Sequence, residues 1–208
     1  TSAGVIDKLD IHFKCDSSGF FTVYLNGISW FTYSGDTTTD GVTSIAHVRL
    51  ANEQRLDIGN FRYWSEIIVS DFDTRSCSLQ TLAPVANGNT HNFDTGSPAA
   101  ANVNEVTLDD TTFDGSSAAG QIDQYTLPTI VPGIVPILGI GVSARMQRGS
   151  SGPSKAELNV RTASTDYFSS DITLDTGFGD FQNWWNLDPN TAGAWTALPV
   201  NIGAKSIA

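Results

Sequence analysis

The sequence is poor in the residues that build metal centres and disulfide scaffolds. It contains two cysteines, three histidines and one methionine among 208 residues. The histidines His12, His47 and His91 stand in no metal-ligand spacing, and two cysteines are too few for a metal cage or a disulfide-dense fold. We therefore expect no metal ion and no other cofactor.

Charged residues are also scarce, and basic residues are the scarcest of them. They make up 16% of the chain, with 11 Lys and Arg against 22 Asp and Glu, so the formal net charge is −11. An acidic chain is repelled by polyanions and anionic bilayers, which predicts neither a nucleic-acid nor a membrane partner. The longest apolar stretch, residues 129–142, is broken by prolines and glycines and is shorter than the roughly 20 residues of a membrane helix. The first four residues show no signal-peptide pattern.

Alternation of apolar and polar residues is the dominant pattern, and it predicts an all-β, antiparallel β-sandwich. One example is the segment from Phe21 to Leu25, which Asn26-Gly27 follows as a strong hairpin signal. We predict strands at 9–15, 21–25, 28–33, 46–50, 64–69, 76–82, 103–108, 122–127, 138–146, 156–162, 172–174, 181–187 and 202–207. Residues 138–146 and 156–162 are predicted to form a hairpin across the loop 147–154, and Thr196 is predicted to cap a single helical turn.

The segment 83–101 is rich in Gly, Asn, Pro and Ala and predicts a boundary between two modules. We place the modules at 1–93 and 94–208.

Catalytic motifs are lacking as well. Asp109-Asp110 are neighbours that an extended chain would point to opposite faces, so they predict a polar turn rather than an acid–base pair. Asp71-Phe72-Asp73 has a D-x-D spacing without the rest of a calcium loop, which predicts a turn with a local Asp–Arg pair. No nucleophile elbow or phosphate-binding loop occurs. We therefore expect a protein that is not an enzyme.

Aromatic and glycine residues provide the candidate contact surface. Trp184 and Trp185 are adjacent, so one ring is expected in the core and the other outside. Gly139 and Gly141 leave a bare stretch of backbone on one strand face, which a neighbour can approach. We predict a protein interface or a glycan contact at these four residues.

The two cysteines are expected to point inward. Cys15 ends an alternating segment on its apolar face, and Cys77 shares the parity of Leu79. They are predicted to be possible neighbours, either bridged as a disulfide or present as two buried thiols.

Several segments of the sequence share their pattern with one known family; they are residues 63–75, 79–84, 87–88, 142–145, 166–168, 188–191, 194–196 and 200–206. These segments resemble those of tailed-bacteriophage virion proteins that have a concanavalin/laminin-G-like portion followed by a jelly-roll-like sandwich. The likeness covers roughly Ile6 to Ile207.

The resemblance implies a structural component of a phage particle, such as a decoration, neck, collar or fibre-like protein. Such a protein is assembled in the bacterial cytoplasm, located in the virion, and bound to copies of itself and to neighbouring virion proteins. The first portion has only four or five strands, so strands of a neighbouring subunit or a further N-terminal segment would complete it. A glycan-binding module that recognises a host surface is the alternative function.

Overall fold

The computed structural model describes residues 7–38, 41, 43–44, 67–71, 73–96, 99–105, 109–129 and 136–208. The chain divides into two compact units, Thr1–Gln80 and Thr81–Ala208. Every strand pairing in these residues is antiparallel, and they contain no α-helix, so the all-β prediction is confirmed. The one helical element among them is a 3-10 turn at Ala100–Asn102.

The first unit contains a three-stranded meander, β1 (Leu9–Lys14), β2 (Gly19–Leu25) and β3 (Ile28–Gly35). The hairpin between β2 and β3 turns at Asn26 and Gly27, whose φ angles are 52° and 80°. Positive φ at both central residues is the requirement of a type I′ turn, which matches the twist of the strands. The hairpin prediction is therefore confirmed.

The second unit contains eight strands within its described residues. In chain order they are β4 (Ala86–His91), β5 (Ile122–Thr126), β6 (Ile140–Met146), β7 (Lys155–Thr162), β8 (Thr165–Phe168), β9 (Ile172–Thr173), β10 (Gly179–Trp185) and β11 (Asn201–Ile207). One sheet has the order β4-β5-β11-β7-β8, with β9 also paired to β7, and β6 and β10 form a second sheet.

The two sheets of the second unit pack face to face. Val142 of β6 joins Leu158 and Val160 of β7 in one buried cluster, together with Trp195 from the loop before β11. Burying such side chains stabilises a fold by about 1.5–3 kcal/mol each relative to leaving them exposed. This unit is therefore a two-layer sandwich.

The predicted hairpin of residues 138–146 and 156–162 is wrong, although both strands exist. β6 pairs with β10, and β7 pairs with β11, β8 and β9, so the loop 147–154 crosses from one layer to the other. Hairpin loops usually have two to five residues, and this loop of eight is long enough to cross the core.

Other local predictions need correction too. Residues 76–82, 67–69 and 103–105 are not in strands, and residues 197–200 form no helical turn. The predicted strand at 46–50 lies outside the described residues. The expected module boundary after residue 93 falls inside the second unit, because β4 pairs with β5 and thereby belongs to that sandwich.

Candidate interaction surfaces

The outer face of the β6–β10 sheet carries an exposed tryptophan seated on a glycine. Trp184 is directly opposite Gly141 in the antiparallel register. Its ring atoms Cε2, Cζ2 and Cδ2 lie 2.8, 2.9 and 3.0 Å from the place that a Cβ on Gly141 would take. The ring is nevertheless 48% exposed to solvent. The bare backbone expected at Gly141 is thus covered by a side chain of the same protein.

The neighbouring Trp185 turns to the opposite face of β10. It packs against the core cluster of the sandwich, and its carbonyl oxygen accepts a hydrogen bond of 2.8 Å from Trp195 Nε1. Alternation along the strand produces this division, since successive side chains point to opposite faces. One ring therefore stabilises the core and the other faces solvent.

Gly139 precedes β6 and does not share the environment of Gly141. A Cβ at Gly139 would meet Asn186 and the Trp185 carbonyl at 3.5 Å, which is ordinary contact. The two glycines therefore differ. Of the two, only Gly141 has to be a glycine, because the Trp184 ring occupies the space that a Cβ would need.

Polar pairs continue the outer face beyond Trp184. Gln182 Nε2 donates to Ser143 Oγ at 2.9 Å, and both residues are exposed.

Further along the same face, Arg145 donates two hydrogen bonds to Asp110, at 2.6 and 2.9 Å, and one to Asp180 at 3.3 Å. These bonds lower the pKa of the Asp110 carboxyl, so the group stays charged. We call the outward-facing pairs Trp184–Gly141, Gln182–Ser143 and Asp180–Arg145 the β6–β10 ladder.

The three-stranded sheet of the first unit has one apolar face. Cross-strand partners share a face, and the register pairs Leu9 with Leu25, Ile11 with Val23 and Phe13 with Phe21. The same face continues onto β3, where the residues paired with Phe21, Val23 and Leu25 are Tyr33, Phe31 and Ile28. We call this surface the β1–β3 apolar face; it comprises Leu9, Ile11, Phe13, Phe21, Val23, Leu25, Ile28, Phe31 and Tyr33.

Most of the β1–β3 apolar face is open to solvent. Ile28 is 74% exposed and Phe31 52% exposed, and Leu9, Ile11, Phe13 and Tyr33 are also exposed. Val23 is its one buried member among the described residues. This differs from the expectation that the apolar parity of β1 would point into a core.

The segment 73–77 covers the polar side of the same sheet instead. Lys8 Nζ donates to the carbonyl oxygens of Thr74, Arg75 and Cys77 at 3.1, 2.7 and 2.9 Å. The Arg75 guanidinium lies over the Tyr24 ring, 4.7 Å from its centre. Arg75 also pairs with Asp73 through several hydrogen bonds, which confirms the predicted local Asp–Arg pair.

Cys15 and Cys77 are half-buried and form no disulfide with each other. Cys77 lies beside Lys8, just before β1, whereas Cys15 follows the last residue of β1. Seven residues of extended chain span about 23 Å, far more than the separation of under about 7 Å that a disulfide allows between Cα atoms. The expectation that the two cysteines are neighbours is wrong, because Cys77 does not lie in a strand beside β1.

The other candidate acidic residues form turns. Asp109 accepts hydrogen bonds from the backbone and hydroxyl of Thr111 at 2.8 and 2.6 Å, as expected of a polar turn. Within the described residues, no group of three or more His, Cys, Asp or Glu side chains is arranged to hold a metal ion. In the same part of the chain, no helix is long and apolar enough to cross a membrane.

A buried polar cluster in the second unit was not anticipated from the sequence. Tyr125 Oη lies 2.6 Å from Asp114 Oδ2 and 2.9 Å from Asp123 Oδ2, and Asp123 has no exposed surface. Asp123 Oδ1 accepts from the Phe93 amide at 3.3 Å and lies 2.8 Å from His91 Nδ1. One feature of the sequence could have indicated this cluster. Asp123 and Tyr125 are two residues apart in a predicted strand, so their side chains lie on the same face.

The protonation of this cluster follows from its hydrogen bonds. A tyrosine hydroxyl has one proton and can donate to only one of two carboxyl groups. Asp114 accepts further bonds from the Ala99 amide and Asn102 Nδ2, so it is the natural acceptor. Burial raises the pKa of the Asp123 carboxyl, which favours a protonated Asp123 that donates to Tyr125. Asp123 has no exposed surface, so its hydrogen bond with Tyr125 lies inside the second unit.

We expect Asp123→Asn to remove a pH dependence of stability. The amide reproduces the protonated carboxyl, donating to Tyr125 and accepting at Oδ1. In the wild type, the pKa of Asp123 is higher in the folded than in the unfolded protein. Its contribution to the free energy of unfolding is therefore fully present below the unfolded-state pKa of about 3.9. That contribution is lost as the pH rises through the folded-state pKa. In that window, the free energy of unfolding of the wild type should fall relative to the variant by about 1.4 kcal/mol per pH unit.

The measurement is urea denaturation of both proteins between pH 4 and pH 8, compared at each pH. Surface carboxyls titrate alike in the two proteins, so the difference reports Asp123 together with its neighbour His91. A variant whose relative stability decreases as the pH rises would instead show that Asp123 is held as a carboxylate beside His91.

The fold and surfaces define an all-β protein with one sandwich unit, an open apolar sheet face and an aromatic ladder. The chain matches no protein-family model, no curated protein and no solved structure. The virion identity therefore stays a prediction from the sequence.

Proposed function

We propose that this protein is a non-enzymatic structural component of a bacteriophage particle that acts through protein–protein contacts. The resemblance of its sequence to phage virion proteins supports the location. The observation that carries the contact function is the open β1–β3 apolar face. Its occupant is a second copy of this chain, and neighbouring virion proteins bind the assembled form.

A second copy suits this face for reasons of shape and layer number. A β-sheet with one apolar face is stable when a second layer covers it, and the described part of the first unit contains this one sheet. Two identical apolar sheets related by a two-fold axis form a self-complementary contact of the sandwich type. None of the nine residues of the face is charged, so the excess negative charge of the chain does not oppose this contact at its centre.

The area available is also sufficient. Each aromatic side chain can bury about 150–250 Å². Six partly exposed apolar side chains from each of two copies therefore offer on the order of 1,000 Å², which is the size expected of a specific interface. An open patch of this size is otherwise an aggregation hazard.

We expect the wild-type chain to self-associate and Phe31→Lys to weaken this association at least tenfold. The substitution places a charge at the centre of the β1–β3 apolar face, where association would have to desolvate it. Thr32→Lys is the matched control, because Thr32 is the next residue of β3, is exposed, and points to the opposite face. Sedimentation velocity over a hundredfold range of concentration gives the dissociation constants.

A wild-type chain that remains monomeric over this range would overturn the association, as would equal weakening by the two lysine variants. The virion location is read separately by mass spectrometry of density-purified phage particles from a lysate that produces the chain. A fixed copy number relative to the major capsid protein supports that location, and absence from the particles refutes it whatever the oligomeric state.

A further inference from the structure

We propose that the β6–β10 ladder is a binding site for a neutral oligosaccharide, with Trp184 as its stacking platform. This inference goes beyond the assembly function and uses a different unit of the chain. It rests on the orientation of one ring, the chemistry of the polar pairs beside it and the charge of the surface.

The Trp184 ring turns one of its faces toward Gly141. Three of its atoms lie at almost the same distance, 2.8, 2.9 and 3.0 Å, from the position that a Cβ on Gly141 would take. A ring seen edge-on from that position would give unequal distances, so a face of the ring, and not its edge, is turned toward Gly141. One π-face therefore covers the Gly141 backbone and the other faces solvent, in agreement with a ring that is 48% exposed.

A flat, outward π-face recognises the C–H face of a sugar ring. Stacking of this kind needs a rigid ring, and the glycine provides the seat that holds it. Any larger residue at position 141 would push the indole away from the sheet, because its Cβ would approach the ring to within 3.0 Å.

The polar pairs supply the hydrogen bonds that sugar hydroxyls need. Ser143 Oγ and the Gln182 amide combine donors and acceptors, and their mutual bond of 2.9 Å holds them in place. Arg145 is fixed by Asp110 and Asp180 and presents a planar guanidinium beside two carboxylates. Carbohydrate-binding sites typically combine one aromatic ring with planar polar side chains around it. The centre of a protein interface has instead clustered aromatic residues and few charges.

The length and charge of the ladder limit the size and the charge of the oligosaccharide that can bind there. Successive pairs are two residues apart along the strands, about 6.7 Å, so three pairs extend over about 13 Å and suit a di- or trisaccharide. The polar end of the ladder brings the Arg145 guanidinium together with two carboxylates, that of Asp180 and that of the neighbouring Asp110, and the whole chain carries −11. Acidic sugars would be repelled, which leaves neutral hexoses and N-acetylhexosamines.

The test is a titration of the full-length protein with neutral trisaccharides. The probes are cellotriose, maltotriose, mannotriose, galactotriose and the trimer of N-acetylglucosamine, observed by tryptophan fluorescence and by saturation-transfer NMR. We expect at least one of them to bind the wild type, and Trp184→Ala to weaken that binding at least tenfold. Trp184→Tyr, which keeps a flat ring, should recover part of the loss.

Two further variants separate recognition from general effects. Gly141→Ala keeps the tryptophan and tilts its ring, so it should also weaken binding. Trp30→Ala is the matched control, since Trp30 is a more exposed tryptophan on a strand of the first unit. Circular dichroism checks that each variant retains the β spectrum.

Failure of all five trisaccharides to bind the wild type would overturn the proposal, as would full binding by Trp184→Ala or equal loss in Trp30→Ala. The Phe31→Lys chain should bind the same trisaccharide as the wild type. Loss of self-association with binding retained, or the reverse, therefore shows which of the two proposals fails.

Discussion

Gly203→Ala is expected to prevent the second unit from folding. Gly203 lies in β11, the strand between β5 and β7, opposite Gln124 on one side and Asn159 on the other. A Cβ at this position would overlap the carbonyl oxygen of Asp123. It would also lie 2.8 Å from Asn159 Oδ1 and 2.9 Å from the Cα of Gln124. Two of these three neighbours are backbone atoms of a central strand and cannot move aside.

The expected loss is more than about 4 kcal/mol, a large part of the 5–15 kcal/mol that stabilises a typical domain. Urea denaturation of the full chain, observed through tryptophan fluorescence, detects it as the absence of the unfolding transition of the second unit. Gly177→Ala is the control, because nothing lies within 4 Å of a Cβ there and its φ angle is not positive. The double variant Gly203→Ala with Asn159→Ala should remain unfolded. Rescue by the second substitution would show that the Asn159 side chain, and not the Asp123 carbonyl, is the obstacle.

The sequence could not reveal this requirement. A glycine within an alternating segment indicates a bulge or a close approach in general terms, without naming the neighbour. The neighbour at Gly203 depends on which strands flank β11, and those strands are far away in the sequence. Asp123 and Asn159 meet at Gly203 because of topology alone.

Local features were predicted more successfully than pairings. The Asn26-Gly27 turn was predictable because positive φ angles are a property of those two residues in a two-residue loop. Strands β6 and β7 were predicted by their alternation, but alternation is the same in a hairpin and in two strands of opposite layers. The partner of β6 is β10, and only the three-dimensional structure identifies it.

The alternation of β1 shows the same limit for burial. It correctly places Leu9, Ile11 and Phe13 on one face, since side-chain parity follows from extended backbone. It does not say which face the segment 73–77 covers. The three carbonyl oxygens that bind Lys8 hold the segment 73–77 on the polar side, so the apolar side is the open one.

The candidate site was predictable in part. The adjacency of Trp184 and Trp185 predicts one inward and one outward ring, which is the arrangement in the structure. That Gly141 seats the outward ring depends on the pairing of β6 with β10 and was not predictable. The Asp123–Tyr125–Asp114 cluster was missed for the same reason, since Asp114 comes from a loop that only the fold brings to β5.

Trp195→Ala is expected to destabilise the second unit by about 3–5 kcal/mol. Trp195 is only 3% exposed and belongs to the cluster that joins the two sheets. Its indole also binds the Trp185 carbonyl, and residue 195 forms an isolated β-bridge with Ile137. Truncation removes the largest side chain of the cluster and leaves a cavity between layers that are each fixed by their own strand pairing. Urea denaturation of the full chain gives the change in the free energy of unfolding.

Trp184→Ala is the matched control, because it removes the same side chain from the solvent face of the second unit and should cost less than about 1 kcal/mol. Trp195→Phe separates packing from hydrogen bonding: it keeps most of the buried ring and leaves the Trp185 carbonyl without the indole donor. Its expected cost is about 1–3 kcal/mol, between those of the two alanine variants. Equal costs for Trp184→Ala and Trp195→Ala would contradict the argument, since they would mean that the two sheets do not depend on the ring between them.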